Sequence, residues 1–297
     1  MKPLRISKKD FNAQHRSLSD RLHAFSLTKR GRRIGTKSII KDVKFSSASS
    51  LKAINSAARI RFADRFCAKF KAFILENAID EVFFVTLIVR EHAVPLSEAA
   101  GFDLVACKEV TSRFFEDLDY IGLIEAAYYY RTPFIAGAHQ PFVSWHSHAI
   151  VWSVTHRDLA ARRQRFNQEH RAFVPGKRAA HFQLTATDSV SSYVRYMSKS
   201  LLKEYTAYPK MRKALDLETG EVIKQPTGRW RNRKRSIRPT NLVRAMRAMG
   251  GRTLKQLSFA GGTGKGFRRA LLKASRDSLK GDAAARTARR RMLLFAS

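Results

Sequence analysis

Pro141-Phe142-Val143-Ser144-Trp145-His146-Ser147-His148-Ala149-Ile150-Val151-Trp152 is the stretch that decides the fold. It is rich in β-branched, aromatic and small residues, the composition of a buried strand. Successive side chains of a strand point to opposite faces, so residues two apart share one. His146 and His148 therefore project side by side from a stiff element, which is how a metal site begins. A lone His-x-His is also ordinary content for a core strand. What singles this one out is an acid on the preceding strand and a tyrosine–lysine pair downstream.

The preceding strand runs Tyr120–Tyr130 and carries Glu125 at its middle, with apolar neighbours on both faces. A buried carboxylate needs a partner, because leaving it ionised and alone costs several kcal/mol. A metal or a cationic side chain would serve. Before it, Val82–Val89 (Val-Phe-Phe-Val-Thr-Leu-Ile-Val) is almost continuously apolar and reads as a central strand. His181–Thr185 reads as a short strand.

Helices are expected on either side of these strands. Ile54, Ala58, Phe62, Phe66, Phe70 and Phe73 recur at spacings of three and four, predicting an amphipathic helix that ends near Asn77. Pro95 and Ser97 open a helical segment reaching Phe114-Phe115, and His156–His170 reads as a basic helix. Asp188 is a plausible N-cap for a helix over Ser189–Tyr205. Residues 217–222 suggest an edge hairpin, and helices are expected over Asn241–Met249 and Gly266–Ser278. The order implies an α+β domain, an antiparallel sheet with flanking helices.

On the helix after Asp188, Val190, Val194, Met197, Leu201 and Tyr205 share a narrow packing arc. Tyr196 and Lys199 lie off that arc and one turn apart; Tyr193 lies at its border. A tyrosine can attack phosphorus, but with a free acid constant near 10 it needs help from a neighbouring cation or base. Glu125, His146 and His148 can hold a divalent ion that draws charge from a phosphate oxygen.

The net charge of +33 over 297 residues points to a polyanionic partner. Residues 1–60 hold 15 Lys/Arg against 3 Asp/Glu, residues 61–228 hold 22 against 19, and residues 229–297 hold 20 against 2. A near-neutral centre is thus flanked by basic ends. We expect a mostly extended basic arm over 1–50 with at most a short helix near Ser19–Leu27, a folded domain over 51–215, and a basic nucleic-acid-binding region over 216–297. Two cysteines exclude a disulfide framework, and no apolar run is long enough for a signal peptide or a membrane span. A cytoplasmic protein without membrane partners is expected.

Gly261-Gly262-Thr263-Gly264-Lys265-Gly266 invites a phosphate-loop reading but fails it, since Phe259 stands at the first glycine position and Gly266 replaces the Ser/Thr. A flexible turn is expected there.

In order, Phe83-Phe84-Val85-Thr86-Leu87, His146-Ser147-His148 and Tyr196-Met197-Ser198-Lys199 match three motifs of the HUH endonucleases. The chain resembles that superfamily, and within it the rolling-circle replication initiators of phages and plasmids, over roughly residues 80–205. The resemblance implies a sheet of about five antiparallel strands with flanking helices. It implies a metal-dependent, site-specific DNA endonuclease that nicks single-stranded DNA at an origin and becomes joined to a 5′ phosphate through tyrosine. It further implies a divalent ion (Mg²⁺ or Mn²⁺) on His146, His148 and Glu125. Single-stranded and origin DNA, a host helicase and a single-strand-binding protein are the implied partners. Two departures stand out. Ser147 occupies a position that is usually bulky and apolar. Tyr193 and Tyr196 are separated by two residues where the two-tyrosine pattern has three, so Tyr193 is either a second nucleophile or a packing residue. His139 is the alternative third ligand. The rival function is non-catalytic nucleic-acid binding with a structural histidine pair.

Overall fold

A computed structural model describes residues 6–43, 51–135, 137, 140–199, 201–216 and 218–295. Three helices come first: α1 (Lys8–Leu27), α2 (Lys29–Arg33) and α3 (Lys37–Val43). This corrects the expectation of an extended N-terminal arm. Phe11, Leu18 and Leu22 are buried on α1, and Ser7 caps it by accepting from the Asp10 N–H.

The chain continues through α4 (Ser56–Glu76), β1 (Val82–Leu87), β2 (Ala93–Pro95), α5 (Leu104–Phe114), β3 (Asp119–Arg131) and β4 (Phe142–Trp152). Next come α6 (His156–Glu169), β5 (Ala180–Thr185), α7 (Val190–Ser198), β6 (Lys203–Leu215) and β7 (Val222–Ser236). The C-terminal part holds α8 (Pro239–Met249), α9 (Leu254–Leu257), β8 (Ser258–Gly261) and α10 (Gly264–Phe295).

The sheet has eight strands, in the order β5-β1-β4-β3-β6-β7, with β2 added to β4 and β8 added to β3. The class is α+β as expected, but the sheet is mixed and strongly curled, not five-stranded and antiparallel. The departure lies at β3 and β6, which run parallel, with a register shift between Tyr129 and Arg131. The physical reason is the length of α7. The predicted helix over Ser189–Tyr205 stops at Ser198, and the chain re-enters the sheet from Lys203, carrying Tyr205 onto β6. A three-residue turn of 3₁₀ helix (Thr187–Ser189) precedes α7, so Asp188 is not its N-cap.

Packing follows strand parity. Phe84, His148 and Trp152 face α4 and α7, where Phe84 meets Tyr193 and Trp152 meets Phe70 and Phe73. Ser147 and Trp145 face the other way, Ser147 bonding Thr111 of α5 at 2.7 Å. The serine where the family pattern has a bulky residue thus has a hydroxyl partner waiting for it. Gly122 is required where β8 joins β3, since an added Cβ would meet the Phe259 ring at 2.2 Å.

Both basic ends contribute to this core. Leu18 and Leu22 from one end, and Ile237, Leu242, Leu254 and Leu271 from the other, are buried in the same apolar cluster as β1 and β4. Between β8 and α10 the chain turns at Gly262-Thr263, and the Asp119 carboxylate accepts from the N–H and hydroxyl of Thr263 at 2.7 and 2.9 Å. Among the described residues, no helix is long and apolar enough to cross a membrane.

Candidate metal centre and tyrosine cleft

Strand register assembles the centre. In the β3–β4 ladder Glu125 stands opposite His146 and Leu123 opposite His148, while Thr86 of β1 stands opposite His148 on its other side. Glu125 Oε2 lies 3.1 Å from His148 Nε2 and 3.6 Å from His146 Nε2. One ligand atom from each of the three lies within 4.8 Å of the others, and all three residues are buried. This group could hold a metal ion.

The outer nitrogens are also fixed. His146 Nδ1 is 3.2 Å from the Ser144 carbonyl. His148 Nδ1 is 2.9 Å from Thr86 Oγ1. Imidazoles whose far nitrogens are tied to a carbonyl or hydroxyl are oriented as metal ligands generally are. Burial pushes the pKa of His148 down to about 3, outweighing the hydrogen bond to Glu125, so its imidazole is neutral. The donor set of two nitrogens and one carboxylate oxygen suits a divalent ion.

Lys199 completes the cluster. It is the C-cap of α7 with extended backbone, and its ammonium contacts Glu125 Oε2. Sequence periodicity placed it on a helix flank, whereas its end position lets the side chain fold back across Tyr196, with Nζ 3.5 Å from the ring centre. Burial alone would raise the pKa of Glu125. The Lys199 charge and the two histidine hydrogen bonds overcome that and hold the carboxyl well below the usual carboxylate range.

Tyr196 is partly exposed and lines the cleft above this cluster, its ring 5.1 Å from that of His148. Tyr193 is buried, its ring 5.0 Å from Phe84 and its hydroxyl accepting from Gln183 Nε2 at 2.6 Å. The two tyrosines therefore have different surroundings: Tyr196 borders the cleft, Tyr193 packs in the core. His139 lies outside the described residues.

Sequence reasoning missed several contributors. The cleft, about 290 Å³, is also lined by His181, Gln183, Tyr129, Tyr205 and Asn232. His181 had no telling spacing; it enters because β5 pairs with β1 and sets it opposite Thr86. Arg59 of α4 is buried and donates to the carbonyls of Ala53, Ser198 and Lys199, closing the C-terminal end of α7. Only its position on the packed face of an otherwise apolar helix could have marked it.

No protein-family model matches this chain, and neither the curated proteins nor the solved structures contain a match.

Proposed function

We propose that the chain is a tyrosine endonuclease of the HUH type, acting on single-stranded DNA as a replication initiator. The observation that carries this reading is the convergence of Glu125, His146 and His148 on one point beneath the ring of Tyr196. A divalent ion held there, Mg²⁺ or Mn²⁺, would supply Lewis-acid polarisation of a phosphate oxygen. The chain's own groups do the rest. Tyr196 attacks phosphorus through its phenolic oxygen and gives up its proton; the departing 3′ oxygen takes one up, leaving a free 3′ hydroxyl and a 5′-phosphotyrosine. The Lys199 ammonium, 3.5 Å from the centre of the Tyr196 ring, would set positive charge beside the attacking side chain. The apolar and aromatic walls keep the groups in place before reaction.

A second reading has its own support. Lys199 already gives Glu125 a cationic partner, so the cluster is charge-balanced as it stands and fits a structural network in a nucleic-acid-binding protein. The two readings diverge in one experiment. The full-length protein is incubated with internally labelled single-stranded circular DNA and Mn²⁺ or Mg²⁺. Nicking with a covalent adduct on Tyr196, lost in EDTA, supports the endonuclease. Binding with neither nick nor adduct in either metal supports the structural network.

A further inference from the structure

Across the sheet from the cleft, β3, β6 and β7 present a second surface. Tyr129, Tyr205 and Asn232 line the cleft. Their chain neighbours Tyr130, Thr206 and Arg233, joined by Arg131, Arg235 and Arg238, line a separate concavity of about 320 Å³. Tyr130 is its centre, with guanidinium carbons of Arg238, Arg131 and Arg235 lying 4.1, 5.6 and 5.7 Å from the ring centre.

This surface is built rather than incidental. Glu204 of β6 is fully buried beneath it and accepts from Arg235 Nε at 2.5 Å and from Asn241 Nδ2 at 2.6 Å. Arg238 adds its side chain at 3.1 Å and its backbone N–H at 3.3 Å. One sunken carboxylate thus orients two arginines and leaves their outer N–H groups for a ligand. Arg131 and Arg233 have no carboxylate partner among the described residues. Four guanidinium groups against one acid make a concavity for anions.

Its shape argues for a chain of anions. Arg231, Arg233 and Arg235 alternate along β7 and pair with Tyr208, Thr206 and Glu204 of β6, so they share one face of an exposed two-stranded ribbon. Same-face residues on a strand repeat every ~6.6 Å, a spacing suited to successive phosphates. Guanidinium forks match phosphate geometry, and the exposed Tyr208 offers a face on which a base can stack.

We propose that this arginine face of the β6–β7 ribbon is a nucleic-acid contact separate from the tyrosine cleft, gripping the phosphodiester backbone of the DNA that flanks the segment held in the cleft. It rests on nucleic acid being the polyanion this chain binds, and does not depend on cleavage. One set of strands then serves two stretches of DNA, one on each face.

The test uses the full chain in EDTA, so that cutting plays no part. Arg131→Gln/Arg233→Gln spares the two arginines tied to Glu204, and Lys9→Gln/Lys71→Gln removes equal charge from exposed helical positions. Fluorescence anisotropy with a single-stranded oligonucleotide and with a hairpin duplex is measured over a salt series. The arginine pair is expected to weaken binding to at least one of the two DNAs about tenfold at low salt, and to reduce the salt slope by about 1.4 to 1.8, as for two lost phosphate contacts. The DNA that suffers identifies whether strand or duplex lies on the ribbon. Losses no larger than those of the lysine pair on both DNAs would overturn the proposal. So would weakened binding to phosphatidylserine vesicles with DNA binding intact. Because no adduct is scored, failure here is distinguishable from failure of the endonuclease reading.

Discussion

The ammonium of Lys199 and a side-chain oxygen of Glu125 are in direct contact, and that oxygen, Oε2, is the one both histidine Nε2 atoms approach. Lysine and a divalent ion therefore compete for a single acceptor. Removing the lysine has two opposite effects. Lys199→Met should bind Mn²⁺ several-fold more tightly, because Oε2 is released. Its metal-free form should be less stable by about 3 kcal/mol, since breaking one side of a buried pair strands the other charge. Mn²⁺ titration and urea unfolding in EDTA read the two effects. Weaker Mn²⁺ binding in the variant would mean that the lysine supports the ion instead of rivalling it.

The histidines make a sharper case. His146→Ala and His148→Ala each remove one nitrogen of a three-donor set. Each should lose metal binding and nicking while DNA binding in EDTA stays close to the parent's. His148→Ala also orphans Thr86 Oγ1, so it should cost more stability than His146→Ala, by about 1–2 kcal/mol. Wild-type nicking in either variant would disprove the site.

For the nucleophile, Tyr196→Phe should abolish the covalent protein–DNA adduct with metal binding preserved. Tyr193→Phe should leave the adduct in place and cost about 1 kcal/mol, the loss of the hydrogen bond from Gln183. Peptide mapping of DNA-linked tyrosine after nuclease trimming reads both; an adduct on Tyr193 would reverse the assignment.

How far the sequence revealed this centre depended on how local each signal was. His146 and His148 share a face by the period of a single strand, and Glu125 stood out as an acid in an apolar run. Their convergence depends on the Glu125–His146 register, a pairing between residues far apart that no local pattern carries. Helical periodicity overran α7: Leu201 is buried as the pattern demanded, but beyond the helix end, and Tyr205 is on a strand. The N-terminal helix was missed because its Lys, Arg and Ser content suggested solvated chain. Yet Phe11, His15, Leu18 and Leu22 recur at spacings of four and three, and all four are buried. The arginine-rich β7 shows no apolar alternation, because it is exposed along most of its length.

Arg59 offers a test of positioning at a distance from the chemistry. Its guanidinium ties three backbone carbonyls, two of them at the end of α7 beside Tyr196 and Lys199. Arg59→Met should leave those acceptors unsatisfied and cost about 3 kcal/mol. Nicking should slow more than metal affinity falls, because the tyrosine and lysine are displaced while the strand-borne ligands stay. Arg59→Lys should recover part of the rate. Equal losses in metal affinity and rate would make Arg59 merely a core residue.

The last prediction concerns acid. His148 and His15 are both buried, and burial pushes their pKa values from 6.5 down to about 3 and about 4. Each is neutral in the folded protein, where the unfolded chain would bind a proton below 6.5. Their contribution to stability is thus fully present above pH 6.5 and is lost as pH falls toward the folded values, at up to about 1.4 kcal/mol per pH unit for each group. Glu125 acts lower. Its depressed carboxyl contributes stability above its ordinary value of 4.5, lost as pH drops further toward its folded value. Urea midpoints of the metal-free protein at pH 7, 6, 5 and 4.5 should therefore fall steadily, with most of the loss due to the two histidines. His148→Gln should flatten the slope between pH 6.5 and 5, and His15→Gln, on α1, should remove a similar share. A slope unchanged in His148→Gln would mean that this imidazole takes up its proton in the folded state, and the neutral ligand inferred for the metal centre would fall with it.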